Sequence, residues 1–467
     1  MTEFPELKEA LRNWASEAIR HLSADEQAYG CRTDLGRWQR DSDGIFRYAE
    51  RNVEMWDYKP LSKMLDLPQW EAVIAALEAD DRLKQHLNTM VRTAHGGHRF
   101  EATDFGRIIL PRPNEIGQFN EEFEHRYLGL DEFLSADEFE YSVIWPLPGL
   151  ESAVLPLQLG STLELDAMSD RELEYALNTG VIRAALVSNK IFTAEDGHRT
   201  CLRYRYRLPK TTGSRDSNVA NDALQKIEDR LQIIRSTLEE SLALILPYTV
   251  NITGRLSIMS KSGGPLAGGV YYQQFTLPYG GQLRRVQMTQ DQAAELLEIW
   301  QRLHQHDLLQ KHKGLALALR RLSYQAQRER PDDELLDTMI AAEALYLTDV
   351  GNEKDRGELR YRLALRTALW ADPEQVGYTK SEVFGIMKSA YSARSAIAHG
   401  GTPDPKEMKV QGERVTLGEL LASTKIIVAR GIRDALARVA SGDMNWPPDW
   451  DSLALGEVQA PTTEIGE

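Results

Sequence analysis

The segment from Thr379 to Gly401 carries the start and stop signals of a single helix, and it constrains the fold more strongly than any other stretch. Thr379 and Glu382 have the spacing of a capping box, in which each side chain bonds the other residue's backbone amide. Gly400 and Gly401 stand where a helix ends, and a proline follows two residues later. The segment therefore predicts one helix, with His399 as its last residue.

The predicted helix has an apolar stripe that also contains an arginine. At about 100° per residue, Arg394 lies in the same stripe as four apolar residues, namely Val383, Met387, Ala390 and Ile397. His399 lies roughly 140° away, on the side that carries Lys388, Ser392 and Ser395. A guanidinium in such a stripe needs a carboxylate partner or an interface. The two side chains reach one phosphate only if the last turn unwinds, or if two copies of the helix meet across a two-fold axis.

Arg394 and His399 form an R-x4-H pair that can cleave RNA without a metal ion. The ribose 2′-OH attacks the adjacent phosphate, one imidazole takes its proton, and a second acid protonates the leaving 5′ oxygen. Arginine stabilises charge on the phosphoryl oxygens. The helix dipole favours a cation at the C-terminus, which suits His399 as an acid or a phosphate clamp. The alternative is a chance spacing on a helix that ends in ordinary His-Gly capping.

Three motifs follow one another in the last third of the chain. They are Asp333-Glu-Leu-Leu-Asp-Thr-Met-Ile-Ala-Ala-Glu-Ala-Leu, Glu358-Leu-Arg-Tyr-Arg-Leu-Ala-Leu-Arg-Thr-Ala-Leu-Trp and Tyr391-Ser-Ala-Arg-Ser-Ala-Ile-Ala-His-Gly. Over about residues 290–440 the chain resembles the ApeA-like branch of the HEPN superfamily. The resemblance implies a bundle of about four or five helices that dimerises and places the R-x4-H motif at the interface. Many members are metal-independent endoribonucleases of toxin systems or of abortive defence against bacteriophage.

The resemblance also implies roles for individual residues. Arg394 and His399 match the catalytic pair, Glu343 matches an acidic residue on the earlier helix, and Arg366 matches a basic residue on the second helix. Ser395 stands where the family often has asparagine or another polar residue. Two alternatives stay open here. Glu343 either supports catalysis or only pairs with Arg394 or Arg366, and Tyr391, one turn before Arg394, either lines the pocket or packs.

The whole chain is predicted to be an α+β multidomain protein of four parts. They are a helical N-terminal region (1–115), a mixed α+β, sensor-like domain (116–288), an all-α HEPN helical bundle (289–444) and a disordered polar tail (445–467). Strands are expected at 141–146, 153–157, 202–208 and 270–277, and helices near 169–177 and 221–246. The bundle helices are expected near 293–306, 315–328, 333–347, 358–370, 379–399 and 417–439. The segment that begins Leu163-Glu-Leu-Asp also loosely resembles the region that accompanies ApeA-type HEPN domains, which implies a regulatory role for the second part.

Composition excludes several classes of protein. Cys31 and Cys201 are the two cysteines of 467 residues, too few for a disulfide framework or a zinc site. No run of 18 apolar residues predicts a membrane span, and the first residues lack the pattern of a signal peptide. The net charge of -15 argues against a nucleic-acid coat protein but leaves room for a local basic pocket. Arg320, Arg321 and Arg328 either contact RNA backbone or form a solvated helix face paired with Asp332 and Asp333.

The resulting hypothesis is a cytoplasmic endoribonuclease of prokaryotic antiviral defence that uses no cofactor or metal. It acts on RNA as a homodimer or higher oligomer, and it stays inactive until a phage-derived trigger or regulatory partner engages it. Two alternatives stay open. One is a non-catalytic HEPN module that only dimerises or binds nucleotides, and the other is the toxin half of a toxin–antitoxin pair.

Overall fold

The computed structural model of the chain describes most of its residues. The described residues are 2–24, 31–43, 45–55, 61–87, 89–93, 96–110, 117, 119–182, 191–192, 199–213, 218–246, 250, 252–259, 270–275, 285–304, 308–325, 328, 330–350, 358–443 and 446–457. Both helices and strands occur among them, so the predicted α+β class is confirmed.

The helices and strands are numbered in chain order. The helices are α1 (Pro5–Ala24), α2 (Leu61–Leu65), α3 (Gln69–Ala79), α4 (Asp81–Lys84), α5 (Ala102–Ile109), α6 (Phe119–Ser135), α7 (Asp170–Asn178), α8 (Asn218–Ile245), α9 (Gln290–Leu303), α10 (Leu308–Lys311), α11 (Lys313–Gln325), α12 (Pro331–Tyr346), α13 (Leu359–Trp370), α14 (Pro373–Val376), α15 (Lys380–Ala398), α16 (Leu417–Ser441) and α17 (Trp450–Ala454). The strands are β1 (Cys31–Arg40), β2 (Phe46–Met55), β3 (Thr89–Thr93), β4 (Gly96–Phe100), β5 (Glu138–Pro146), β6 (Leu150–Ser152), β7 (Leu157–Gly160), β8 (Leu163–Ala167), β9 (Ile191–Phe192), β10 (Thr200–Pro209), β11 (Thr211–Gly213), β12 (Gly254–Met259), β13 (Val270–Gln274), β14 (Val286–Met288), β15 (Lys409–Val410) and β16 (Glu413–Arg414).

The chain forms two compact units, each built from separate stretches of sequence. The first unit contains residues 1–146, 160–230 and 254–275, and the second contains 147–159, 231–253 and 276–467. These borders do not coincide with the predicted ones at residues 115 and 288. The predicted division into a sensor-like domain and a HEPN domain therefore stays a prediction.

The first unit is built around an antiparallel sheet in which β10 lies between β5 and β8. The second half of β10 alternates as its sequence predicts, with Tyr206 buried between exposed Arg205 and Arg207. Its first five residues, Thr200–Tyr204, are all buried, so both faces of the sheet are covered there. Arg203 is buried there and donates to Glu172 at 3.1 Å, which gives its charge a partner.

The N-terminal region, predicted to be mostly helical over residues 1–115, contains four strands as well as helices among its described residues, and the prediction missed these strands. α1 and α3 are helices of this region, and their Trp14 and Trp70 rings lie 4.6 Å apart between centroids. However, β1 and β2 form a hairpin in which Trp38 faces Tyr48, and β3 pairs with β4. Trp38 packs in a buried cluster with Ile144. Charged residues spread along β1 and β2 masked this pairing in the sequence.

The predicted strand at residues 153–157 was also misplaced, because β7 begins only at Leu157. The predicted strands at 141–146, 202–208 and 270–277 correspond to β5, β10 and β13, and the predicted helices near 169–177 and 221–246 correspond to α7 and α8.

The second unit contains the six predicted bundle helices, as α9, α11, α12, α13, α15 and α16. Their facing sides are filled by buried apolar residues, including Met339, Leu363, Met387 and Ile432. The unit is not purely helical, since β15 pairs with β16 and β6 runs parallel to β14. No helix among the described residues is long and apolar enough to cross a membrane.

Part of the predicted disordered tail is ordered against this bundle, which corrects the prediction for residues 445–467. Trp446 and Trp450 are buried, and both rings contact Trp370 edge-on, at centroid distances of 4.9 and 6.4 Å. Trp446 Nε1 also donates to the Leu345 carbonyl at 3.1 Å. The polar composition of the tail concealed these two aromatic anchors. Residues 458–467 lie outside the described part of the chain.

Candidate active site

The predicted start of the key helix is confirmed, because α15 opens with a complete capping box. The Thr379 hydroxyl accepts a hydrogen bond from the Glu382 amide at 3.3 Å, and the Glu382 carboxylate accepts one from the Thr379 amide at 2.7 Å. Two of the otherwise unpaired amide groups of the first turn are satisfied in this way. These hydrogen bonds fix the start of the helix, and so determine which residues face the core.

The end of α15 lies one residue earlier than predicted. The last helical residue is Ala398, and His399 is the C-cap, with its side chain exposed. Gly400 has a φ of 75°, and the Gly401 amide donates to the Ala396 carbonyl at 2.8 Å, which is the pattern of a Schellman motif. Of the two predicted ways to bring Arg394 and His399 together, an unwound last turn is therefore not observed in the described helix.

Arg394 occupies the predicted apolar stripe and has the carboxylate partner that such a position requires. Val383, Met387 and Ala390 are buried, whereas the Arg394 side chain is 27% exposed. Arg394 Nη2 donates to Glu343 Oε2 of α12 at 3.2 Å. Arg394 and Arg366 were both considered as partners of Glu343, and the observed partner is Arg394.

The ion pair leaves polar atoms on both partners without a hydrogen bond. Among the described residues, Glu343 Oε1 and Arg394 Nε are buried and have no partner. Burial raises the pKa of Glu343, and the nearby Arg394 charge opposes this shift. Orphaned buried polar atoms are costly unless water or a ligand atom bonds them. The pair is therefore incompletely satisfied, a feature that it shares with the Nε atoms of the ion-paired Arg430 and Arg433.

Tyr391 lies beside this pair and lines the same part of α15. Its ring centroid lies 5.9 Å from the Arg394 guanidinium carbon, and its side chain is half-buried. Burial raises the pKa of Tyr391, the Glu343 carboxylate raises it further, and Arg394 lowers it. Ser395 is half-buried, and its carbonyl accepts the His399 amide at 3.2 Å. The structure thus brings Glu343, Tyr391 and Arg394 together.

Arg366 is not part of this cluster, although the resemblance assigned it a supporting role. Its guanidinium donates to both carboxylate oxygens of Asp349, at 2.6 and 2.9 Å, and to the Tyr346 carbonyl at 2.8 Å. It also lies 5.2 Å from the centroid of the Trp450 ring. These contacts give Arg366 a structural role, in which it holds the segment after α12 and the C-terminal residues together.

Two of the three arginines considered for RNA contact, Arg321 and Arg328, bind a carboxylate, whereas Arg320 is exposed. Arg321 and Arg328 bind the two oxygens of buried Asp337, at 3.2 and 2.6 Å. Burial raises the pKa of Glu240 to about 7, and the positive charge of Arg320 opposes that shift. The partner of Arg321 and Arg328 is thus Asp337, and not Asp332 or Asp333 as the paired alternative had assumed. For Arg321 and Arg328 the contacts favour the paired alternative, in which these two arginines have a structural role.

No protein-family model matches the chain, no curated protein matches it, and no solved structure matches it. The resemblance to the HEPN superfamily consequently rests on the motifs of α12, α13 and α15, and the function derived from it is a proposal. No group of three or more potential metal ligands occurs among the described residues.

Proposed function

We propose that this chain is a metal-independent endoribonuclease of the ApeA-like HEPN branch, which acts in prokaryotic defence against bacteriophage. Residues 289–444 would form the HEPN domain, and residues 116–288 would regulate it. The observation that carries the proposal is the state of Arg394. In the described part of the chain it makes one hydrogen bond, to Glu343, and its Nε is unpartnered, five residues before an exposed histidine.

The geometry supports a site shared by two chains. α15 keeps its helical hydrogen bonding up to His399, whose amide donates to the Ser395 carbonyl at 3.2 Å. On a regular helix, residues five apart point roughly 140° away from each other. Arg394 of one chain and His399 of another can face the same phosphate when two copies of α15 meet across a two-fold axis. A monomer would be nearly inactive.

The reaction would be an internal transesterification of RNA. The ribose 2′ oxygen forms a bond to phosphorus as the bond from phosphorus to the 5′ oxygen breaks, which gives a 2′,3′-cyclic phosphate and a 5′-hydroxyl end. One imidazole accepts the 2′-OH proton, and a second acid gives a proton to the leaving 5′ oxygen. Arg394 would stabilise charge on the phosphoryl oxygens. Glu343 is a positioning residue in this scheme, since it acts through Arg394.

The direct test is to incubate the full chain with total RNA in the presence of EDTA. Cleavage that persists in EDTA and yields 5′-hydroxyl ends supports the proposal, provided that Arg394→Ala and His399→Ala both abolish it. Because regulation is proposed, the assay is repeated with phage-infected cell extract as the source of a trigger. An intact dimer that cleaves no RNA under any of these conditions would refute it.

A mixing experiment tests whether the site is shared. Arg394→Ala and His399→Ala protein are mixed and allowed to exchange subunits, so that mixed dimers keep one arginine and one histidine on opposite chains. We expect such mixtures to recover cleavage that neither parent shows. If the mixture remains as inactive as its parents while subunit exchange is demonstrated, the site does not combine residues of two chains.

The Glu343 ion pair favours a second candidate, a non-catalytic HEPN module that dimerises or binds nucleotides. In that case Arg394 would be a core cation neutralised by Glu343, and no more. The module would form an intact dimer without cleaving RNA, so the EDTA assay separates the two candidates. The third possibility, a toxin of a two-gene pair, predicts that expression of the chain alone arrests growth.

A further inference from the structure

The face of α15 that ends at His399 continues onto α13. Lys388 and Ser392 belong to this face, and Arg360 of α13 donates from Nη1 to Ser392 Oγ at 2.9 Å. The neighbouring residue, Tyr361, contacts Phe384 of α15 edge-on, at a centroid distance of 5.5 Å. We call Arg360, Tyr361, Phe384, Lys388 and Ser392 the Tyr361 surface.

Tyr361 is a large aromatic residue with an exposed ring. It is 48% exposed, and its ring is nearly perpendicular to that of Phe384, at 78°. Phe384 packs against the Tyr361 ring and is itself half-buried. Lys388 Nζ lies 5.3 Å from the centroid of the Phe384 ring. An aromatic ring that is supported on one edge and exposed on the remainder can stack on a nucleic-acid base.

The cations of this surface are not neutralised by carboxylates of the described residues. Many arginines of the second unit are paired, such as Arg302 with Glu298 and Arg433 with Glu295. Within the described residues, neither Arg360 nor Lys388 has an acidic partner within 4 Å. In a chain with a net charge of -15, a local surface of unpaired cations favours a polyanionic ligand.

We propose that the Tyr361 surface binds single-stranded RNA and leads it to the helix end at His399. A base would stack on Tyr361, and Arg360 and Lys388 would contact the backbone phosphates. At about 1.5 Å per residue, Phe384 lies about 22 Å from His399 along α15, which gives room for several nucleotides. The choice of RNA as ligand rests on the proposed function. The aromatic platform favours RNA over an acidic peptide, because a peptide of carboxylates has no base to stack.

The test measures RNA binding by the full chain in a His399→Ala background with EDTA, so that no cleavage occurs. The probe is a fluorescent single strand of mixed sequence, about 16 nucleotides long, and fluorescence anisotropy is recorded over a range of salt concentrations. We expect Tyr361→Ala to weaken binding about tenfold with no change in salt dependence, because stacking carries no charge. Lys388→Ala should reduce the slope of log K against log salt by about 0.7, the loss of one phosphate contact.

Two control variants share the chemistry of these changes but lie elsewhere in the same unit. Tyr324→Ala removes another exposed tyrosine, on α11, and Lys409→Ala removes an exposed lysine of β15. Both should bind RNA within about twofold of the parent. The same strand annealed to its complement should bind more weakly, since paired bases are not free to stack on Tyr361.

Three results would overturn the inference. In the first, Tyr361→Ala lowers the affinity for RNA no more than Tyr324→Ala does. In the second, polyglutamate displaces the probe as readily as unlabelled RNA does. In the third, Tyr361→Ala loses its dimer in light scattering. The last would identify the surface as a contact between copies of the chain. Cleavage at Arg394 and His399 without these binding effects would leave the proposed function intact. Binding at Tyr361 without cleavage would refute only the proposed function.

Discussion

The ion pair between Arg394 and Glu343 can be broken by a substitution of either residue, and the two losses of stability should not add in the double variant. Arg394→Met removes the charge but keeps an apolar stem for the stripe, and Glu343→Gln replaces the carboxylate by an amide of the same shape. Each single variant leaves one half-buried partner without its counterpart. The double variant removes both groups. We therefore expect the double variant to be more stable than the sum of the two single losses implies.

The exposure of the two side chains sets the size of the effect. Removing one partner of a fully buried pair costs about 3–5 kcal/mol, whereas an exposed pair contributes about 0–1 kcal/mol. Arg394 and Glu343 remain 27% and 26% exposed, so the pair lies between these limits. We expect Arg394→Met to lower the free energy of unfolding by about 2 kcal/mol at neutral pH, with a coupling energy of about 1 kcal/mol in the double-mutant cycle.

The loss in Arg394→Met should depend on pH. Burial raises the pKa of Glu343 in the folded chain, and Arg394 is the group that opposes this shift. Without Arg394 the folded pKa rises further above its unfolded value. A raised folded pKa favours folding at low pH, and this benefit is lost as the pH rises through the folded pKa. Arg394→Met should therefore be more destabilised at about pH 8 than at about pH 5, and adding Glu343→Gln should remove the difference.

Urea unfolding followed by far-UV circular dichroism measures all four proteins at both pH values. Arg302→Met is the matched control, since it breaks a more exposed pair, with Glu298 on α9, and should cost less than about 0.5 kcal/mol. The coupling would be refuted if the stability losses of the two single variants simply add in the double variant and the loss in Arg394→Met does not change with pH. A double variant that regains stability but cleaves no RNA would separate the chemical role of Arg394 from its structural role.

Three further predictions concern stability and binding. Gly431→Ala should lower the free energy of unfolding by about 2 kcal/mol in thermal unfolding, because the new Cβ meets the hydroxyl of buried Tyr346. Gly385→Ala, which has open space around its Cβ, should raise the free energy of unfolding by up to about 1 kcal/mol. Equal effects of the two substitutions would contradict this reasoning. Burial lowers the pKa of His86 to about 4, so thermal stability should fall as the pH drops from about 6.5 towards 4. His86→Gln should flatten this dependence of stability on pH. An unchanged slope in the variant would exclude His86 as the source of the pH dependence. Asp337→Asn should weaken the fold by about 1–3 kcal/mol in urea unfolding and, by releasing two arginines, steepen the salt dependence of RNA binding, while an unchanged slope would show that they do not reach RNA.

The helices of the second unit were accessible from sequence because local signals specify them. α15 has its capping box at Thr379 and its glycines after His399, and α16 likewise has a box at Thr416. Such signals act within one helical turn, so no knowledge of the tertiary fold is needed. The same is true of the requirement for a carboxylate beside Arg394, which follows from its place in the apolar stripe.

The features that escaped prediction depend on contacts between distant residues. The order of the C-terminal segment comes from Trp446 and Trp450 meeting Trp370, 76 or more residues earlier in the chain. Their polar neighbours give no local sign of it. Arg366 was expected to support the site on the strength of a motif, and the contacts observed for it are with Asp349 and the Trp450 ring. Helical periodicity fixes which face a residue occupies, and it does not identify the partner.

The interleaving of the two units has a practical consequence for genetic dissection. The chain passes from one unit to the other at residues 146, 159, 230, 253 and 275, and one of these borders falls inside α8. A truncated protein that starts at residue 289 would therefore lack residues 147–159, 231–253 and 276–288 of its own unit. Insertions, point variants and circular permutants can probe such an architecture, but a single cut cannot divide it. Regulation by release of a detachable domain is correspondingly disfavoured, since no single proteolytic event frees either unit.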